Sequence, residues 1–494
     1  MAEAARPGIA THYLRYTIGN VLVMAAGFVS YPIMARLLTY TEYGIFGYVD
    51  TWLLILAGIF KLGGQHAILR FYPHRGGRGA LARFGSNFVL LPSLCSAVLW
   101  LLALIGFGIY SVAAPGARST IGWLMLAMLL PTMWTSFVLA VFSAEERSDL
   151  NVQINVGWRW LEVAAILPII YFVARNADGV YVGRLFAAMV MATILLIYML
   201  RRLPMRWRDH DTTSWLAGVR YGIPMMANEL SSVLLSFVDR LMLRHLLGGF
   251  APVGVYTIGY GLAMTINSLI QNALNVAFTQ VSVRQYETEG PQAVVRTKHA
   301  LLHVLVYVVM AAILGLITVG DDALLFMAGS AKAASAPVFV LIGINYLLNG
   351  LLSICSAGLM LHKRSGTIFF TTAGAAVLNV ILNLFWIPEF GVMGAVWATL
   401  VSFVLLDVAR FVLCPRELRA LPNGRATITA ITLAVLVWLI AHFSGMFGVH
   451  SHLDRLIVMA ALLLVLYAAP ALALDAVLRN AIRDWWRHRR GALT

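Results

Sequence analysis

Apolar residues gather along the chain into fourteen stretches, near 11–38, 44–69, 84–111, 119–142, 150–173, 179–200, 215–245, 253–279, 298–319, 335–361, 366–387, 391–413, 426–446 and 455–478. A helix needs about 20 mostly apolar residues to cross a bilayer, and each stretch meets that length. The polar segments between them are too short to hold a soluble domain. The pattern predicts an all-α polytopic membrane protein with fourteen transmembrane helices.

Composition agrees, with 60% hydrophobic and only 12% charged residues, against about 25% charged in soluble domains. The net charge of +14 would suggest nucleic acid on a soluble surface, but here the positive charge sits in connecting loops, and no nucleic-acid partner is expected. Of the 36 Lys and Arg residues, only Arg36, Arg118, Arg175, Arg244, Lys332 and Arg455 fall on the side opposite the N-terminus. The positive-inside rule then places both termini in the cytoplasm. The Arg483–Arg490 tail reads as a snorkelling end cap on membrane lipid. Cys95, Cys355 and Cys414 are too scattered for a disulfide framework and read as small hydrophobes. Glu3 and the length of the first apolar run argue against a cleavable signal, so the first span is expected to be retained.

Self-comparison gives an internal repeat at offsets rising from 208 to 217. Asn20 and Arg36 align with Asn228 and Arg244. Tyr43-Gly44-Ile45-Phe46 aligns with Val253-Gly254-Val255-Tyr256, Gly179–Gly183 with Gly391–Ala395, and the turn ending at Arg147 with the turn ending at Arg364. Six spans plus six in one orientation predict two parallel lobes, 1–208 and 209–418, with a central cavity between them. A terminal helix pair and basic tail, 419–494, stand outside the repeat.

An ionised side chain at mid-bilayer costs about 2.5–3.5 kcal/mol, so each needs a partner, a cavity or a function. Asp50 and Lys61 lie eleven residues apart, close to three turns, and are expected on one face of the second span. Glu229 and Arg240 repeat that spacing in the seventh, with Asp239 beside Arg240 and Arg244 a turn beyond. Spacings of three predict intrahelical pairs for Arg159 with Glu162 and for Asp407 with Arg410, while Arg184 stands near the outer end of the sixth span. Lys61 and Glu229 are the deepest and have no partner within their own turns, which makes them the leading functional candidates. In the eighth span, Asn267, Gln271 and Asn275 form one stripe, suited either to helix packing or to a wet cavity, with the cavity favoured. Asn345, Asn349, Asn379 and Asn383 fit helix packing better. His450-Ser-His452 is too short a pattern to indicate a metal, and Asp321-Asp322 reads as an outer loop. No Gly-rich nucleotide loop with its lysine occurs, and no loop is long enough for a sugar-nucleotide or catalytic domain.

Two runs carry a family resemblance. Tyr31-Pro-Ile-Met-Ala-Arg36-Leu-Leu-Thr-Tyr-Thr-Glu-Tyr43-Gly44-Ile-Phe46 resembles the first-to-second span junction of polysaccharide transporters in the multidrug/oligosaccharidyl-lipid/polysaccharide exporter superfamily. Asn379–Leu400 resembles the eleventh and twelfth spans of the same family. The resemblance implies a V-shaped Wzx-type flippase of the bacterial inner membrane. Such a protein moves undecaprenyl-pyrophosphate-linked oligosaccharide from the cytoplasmic to the periplasmic leaflet by rocking two lobes, alongside polymerase and chain-length or export proteins. On this reading Lys61, Arg36, Arg240 and Arg244 meet the pyrophosphate, and Asn267, Gln271 and Asn275 meet the sugars. No cofactor is expected beyond a coupling ion, H+ or Na+, for which Glu229 is the first candidate, then Asp50 and Asp239. The competing readings are a lipid II flippase, a cation-coupled multidrug exporter and, more remotely, a membrane glycosyltransferase or polymerase.

Overall fold

The computed structural model describes residues 9–74, 77–113, 119–443, 451–480 and 483, with side chains over the same ranges except 9–17, 119, 269–277 and 279–280. Among these the secondary structure is helical, with no strand. The helices are α1 (Ile9–Leu37), α2 (Tyr40–Phe60), α3 (Gly64–Phe71), α4 (Arg78–Ala113), α5 (Ser119–Ala144), α6 (Ser148–Val173), α7 (Ala177–Arg202), α8 (Thr212–Leu246), α9 (Ala251–Thr288), α10 (Pro291–Ala328), α11 (Ala336–Cys355), α12 (Ser365–Phe390), α13 (Val392–Leu413), α14 (Gly424–Phe443) and α15 (His452–Leu474). Twelve of the described helices are long and apolar enough to cross a membrane. The expected seventh and eighth spans, α8 and α9, lie outside that set, although at 35 and 38 residues both are long enough. The chain is a multi-pass membrane protein.

It packs as two compact units, residues 1–257 with 376–395 and residues 258–375 with 396–494. This is a division by packing, whereas the lobes expected at 1–208 and 209–418 are a division by internal similarity; α8 packs with the helices of the first half.

Local geometry echoes the repeat at two places. The turn after α5 places Glu146 at φ 58°, and the turn before α12 places Lys363 at φ 54°. In the first, Arg147 N–H donates to the Phe142 carbonyl at 2.9 Å; in the second, Arg364 N–H donates to the Leu359 carbonyl at 3.0 Å. The three pairs of positions match at one offset, 217, and both turns end a helix through the same left-handed cap, here without its usual glycine. The second echo is a reciprocal contact within the first unit. A Cβ on Gly44 would strike the Phe250 carbonyl, and a Cβ on Gly254 would strike the Tyr40 carbonyl. Both partners are related by the offset of 210, the signature of a self-complementary contact. Gly47 and Thr257, also 210 apart, face each other directly.

Polar staples fix the helix ends. Ser86 Oγ donates to the Arg206 carbonyl at 2.7 Å and Asn87 Oδ1 accepts from Asp211 N–H at 3.0 Å, which docks the connection between α7 and α8 onto α4. Asp211 caps α8 by accepting from Thr213 N–H and Ser214 N–H at 3.2 and 3.0 Å. The Ser214 hydroxyl, which also donates to this carboxylate, and then these backbone bonds hold its carboxyl below the usual range. At the cytoplasmic side of the expected topology, Tyr72 donates to Glu145 at 3.2 Å. Burial, then the Glu145 charge, pushes its phenol up to about 12. In the second unit, Lys298 is fully buried and donates to the Leu418 and Cys355 carbonyls at 2.7 and 3.3 Å, a cation placed at a helix C-terminus.

Some expectations need correction. Asp321 and Asp322 lie inside α10 rather than in a loop, and Asp322 takes His452 at 2.6 Å and Arg455 at 3.4 Å. Asp407 accepts from Asn349 at 3.0 Å while Arg410 donates to Thr372 at 2.9 Å, so these groups tie helices together rather than to each other. A spacing of three permits an intrahelical pair, but a neighbour on another helix offers each group a hydrogen-bond partner. His450 and all of the basic tail except Arg483 lie outside the described residues.

Candidate substrate and coupling site

The second span was expected to run unbroken over 44–69, but α2 ends at Phe60 and α3 begins at Gly64. Between them Leu62 and Gly63 adopt φ of 49° and 70°. A left-handed leucine is strained, and such strain persists only where the surroundings enforce it. The enforcing contact is with α8: a Cβ on Gly63 would overlap the Gly222 carbonyl, and a Cβ on Gly222 would lie 3.0 Å from the Gly63 and Leu62 carbonyls. Glycine on both sides lets two backbones touch at the break.

The break gathers charge. Lys61 caps α2, and its Nζ lies 2.8 Å from Glu229 Oε1 on α8. The other carboxylate oxygen, Oε2, accepts from Gln65 Nε2 at 2.6 Å and lies 3.3 Å from His66 Nε2. Gln65 and His66 are in the first turn of α3, whose positive dipole end faces a carboxylate favourably. Lys61 is 12% exposed and Glu229 31%, so the pair is half-withdrawn yet reachable from one side. Two residues on which the sequence reading centred, 168 positions apart, therefore form one ion pair. Gln65 and His66 were missed. The adjacent Gly63-Gly64 pair beside a lysine in an apolar run was the available signal, because paired glycines favour a helix break.

The remaining candidates separate. Asp50 pairs with Arg184 on α7 at 2.6 Å and takes no part in the Lys61–Glu229 contact. Arg184 also meets Glu162 at 2.8 Å, and Glu162 meets Arg159 at 2.8 Å as expected from their spacing, which gives a chain of two acids and two cations. Asp239 is fully buried and accepts from Tyr256 and from Asn383, each at 2.6 Å. Arg240, also buried, lies 4.9 Å from the Phe237 ring. Arg36 ends α1 and lines a groove with Tyr171 and Phe172 of α6. Arg244 sits 4.6 Å from the Phe250 ring and lines an aromatic pocket. Fifteen helical residues separate it from Glu229, about 22 Å, so one cavity does not collect all four cations at a single point. Asn267 is half-buried on α9. The side chains of Gln271 and Asn275 lie outside the described residues.

A model of the polysaccharide biosynthesis protein family matches residues 11–282, more than half of the chain. The chain belongs to that family. Among curated proteins, this family member is 24% identical over 415 residues to the "Probable flippase AglR" of Haloferax volcanii, which covers 78% of this chain and 83% of that protein. Its fold is that of the lipid II flippase MurJ in an inward closed conformation, with a TM-score of 0.70 at 13% identity over 94% of this chain and 99% of the other. An inward-facing multidrug resistance MATE transporter of the MOP superfamily matches with a TM-score of 0.62 at 14% identity, over 81% and 96%.

Proposed function

We propose that this polysaccharide biosynthesis family member is a flippase that carries undecaprenyl-pyrophosphate-linked oligosaccharide from the cytoplasmic to the periplasmic leaflet of a bacterial inner membrane, with both termini cytoplasmic. The observation that carries the reading is the Lys61–Glu229 pair at a broken helix. Discontinuous helices in transporters commonly build the substrate and ion sites, because freed backbone and a helix N-terminus can meet charge inside the membrane. In this site a carboxylate holds two basic side chains in reserve. A diphosphate competes with Glu229 for Lys61 and His66 through charge-assisted bonds, and a proton on Glu229 releases both. Glu229 is the coupling carboxylate on this account, because it stands partly exposed at the helix break, whereas Asp239 is fully buried on Tyr256 and Asn383 and Asp50 is held by Arg184 away from the break.

The reciprocal Gly44 and Gly254 contacts support two parallel repeats that rock about a shared axis. The named relatives support transport of a lipid-linked cargo over catalysis, and the likeness to the lipid II flippase spans more of this chain than the likeness to the drug transporter. Movement of a fluorescent undecaprenyl-pyrophosphate oligosaccharide between leaflets of proteoliposomes tests the assignment. The purified protein is expected to move it faster than lipid II. Equal or faster movement of lipid II assigns the cargo there instead, and movement of neither overturns the reading.

A further inference from the structure

We propose that the outer end of the first unit holds a separate carbohydrate site, a pocket that receives one sugar ring of the glycan. The inference rests on the flippase reading and gives it a second station. The pocket has a volume of about 640 Å³, within the roughly 300–1,000 Å³ of typical small-molecule sites. Its walls come from four helices: Tyr48 and Trp52 on α2, Phe107 and Tyr110 at the end of α4, the apolar start of α5, and Arg244 and His245 at the end of α8.

The walls are built rather than incidental. Tyr48 and Trp52 are one turn apart and share a face. Gly122 on α5 leaves the space in which the Phe107 ring lies, and Phe107 packs edge-to-face on Trp123 at 5.0 Å. Phe250 stands edge-on to Tyr48 at 5.6 Å and under the Arg244 guanidinium at 4.6 Å. His245 Nδ1 lies 2.8 Å from the Leu241 carbonyl, which makes Nδ1 the donor and leaves Nε2 as an acceptor in the neutral ring. Trp52 and Tyr110 remain 37% and 56% exposed, so the rings are reachable.

A pyranose ring has an apolar C–H face and a rim of hydroxyls. Aromatic faces suit the first, and the guanidinium, imidazole and phenol groups suit the second. A lipid chain would use the rings alone, whereas a sugar also engages the guanidinium and imidazole beside them. Aromatic anchors at a membrane interface also differ, since they face the headgroups individually, whereas Tyr48, Trp52 and Phe107 surround one volume beside a cation. On the orientation read from charge, this end faces the periplasm. The distance of about 22 Å from Glu229 separates it from the proposed diphosphate contact, so the pocket holds the glycan after its entry at Lys61.

Full-length protein in nanodiscs, titrated with chitobiose and with a glucuronic-acid-containing disaccharide, tests the site by tryptophan fluorescence. At least one sugar is expected to give a saturable change. Arg244→Ala and Trp52→Ala should each weaken binding at least tenfold, Trp52→Phe should retain it, and Lys61→Ala should leave it unaltered; monodispersity and melting confirm that each variant is folded. Absence of a saturable response in the wild type overturns the proposal, as does binding indifferent to both alanine variants. Quenching of Trp52 by brominated acyl chains that sugars do not displace assigns the pocket to lipid and also overturns it. A wild type that transports between leaflets but binds no sugar removes this site alone, whereas a wild type that binds sugar without transport removes the flippase reading.

Discussion

Glu229 and Lys61 show how far single residues can be read. Both stood out as charges in apolar runs, where an ionised group is costly. Their partnership could not be read, because the periodic neighbours of a helix are three or four residues away and this contact spans 168 positions. A double-mutant cycle with Lys61→Met and Glu229→Gln should give a coupling of about 0.5–3 kcal/mol in thermal or denaturant unfolding, the range for residues in one polar network. Additive effects would mean that the pair is not formed. In transport, Glu229→Gln should abolish acceleration by an imposed proton gradient, since an amide cannot carry the proton. A gradient response equal to that of the wild type would remove Glu229 as the coupling group.

At the scale of elements, length and hydropathy located most helices to within a few residues, because burial of backbone in a membrane leaves helix as the dominant solution. The break in the second span was invisible to hydropathy: Leu62, Gly63 and Gly64 continue an apolar run, and only the contact with Gly222 requires the left-handed turn. Gly63→Ala should therefore destabilise the protein by about 1–2 kcal/mol from φ alone, and more from overlap with α8. A melting temperature unchanged by this substitution would contradict the break. The start of α8 is legible in sequence as an Asp N-cap. Because the folded-state pKa of Asp211 is depressed, its stabilisation is present above the unfolded value near 3.9 and is lost as pH falls through the folded value. Amide exchange in the first turn of α8 should be faster in Asp211→Ala than in the wild type at neutral pH, and the two should converge in acid. Persistent divergence at the lowest pH would show that charge is not the source.

For the whole molecule, the helical, multi-pass fold was legible because it is a sum over many residues, and the turns at Glu146 and Lys363 share one backbone geometry 217 positions apart. How helices group by packing was not legible, since similarity between halves does not state which half a helix packs against. The terminal pair is tied to the second unit by Asp475, which meets His303 at 2.8 Å and Tyr307 at 2.9 Å. Asp475→Ala should cost about 1–3 kcal/mol and hasten proteolysis between α13 and α14. The central claim is that Lys61, poised on Glu229 at a broken helix, receives the diphosphate of a lipid-linked oligosaccharide. The most direct measurement is the initial rate of leaflet transfer in proteoliposomes containing equal amounts of folded wild type, Lys61→Arg and Lys61→Ala. A lost charged contact of about 1.5–3 kcal/mol corresponds to a fall of roughly 10- to 100-fold for alanine, with arginine retaining most of the rate. Transfer by Lys61→Ala at the wild-type rate would contradict the account.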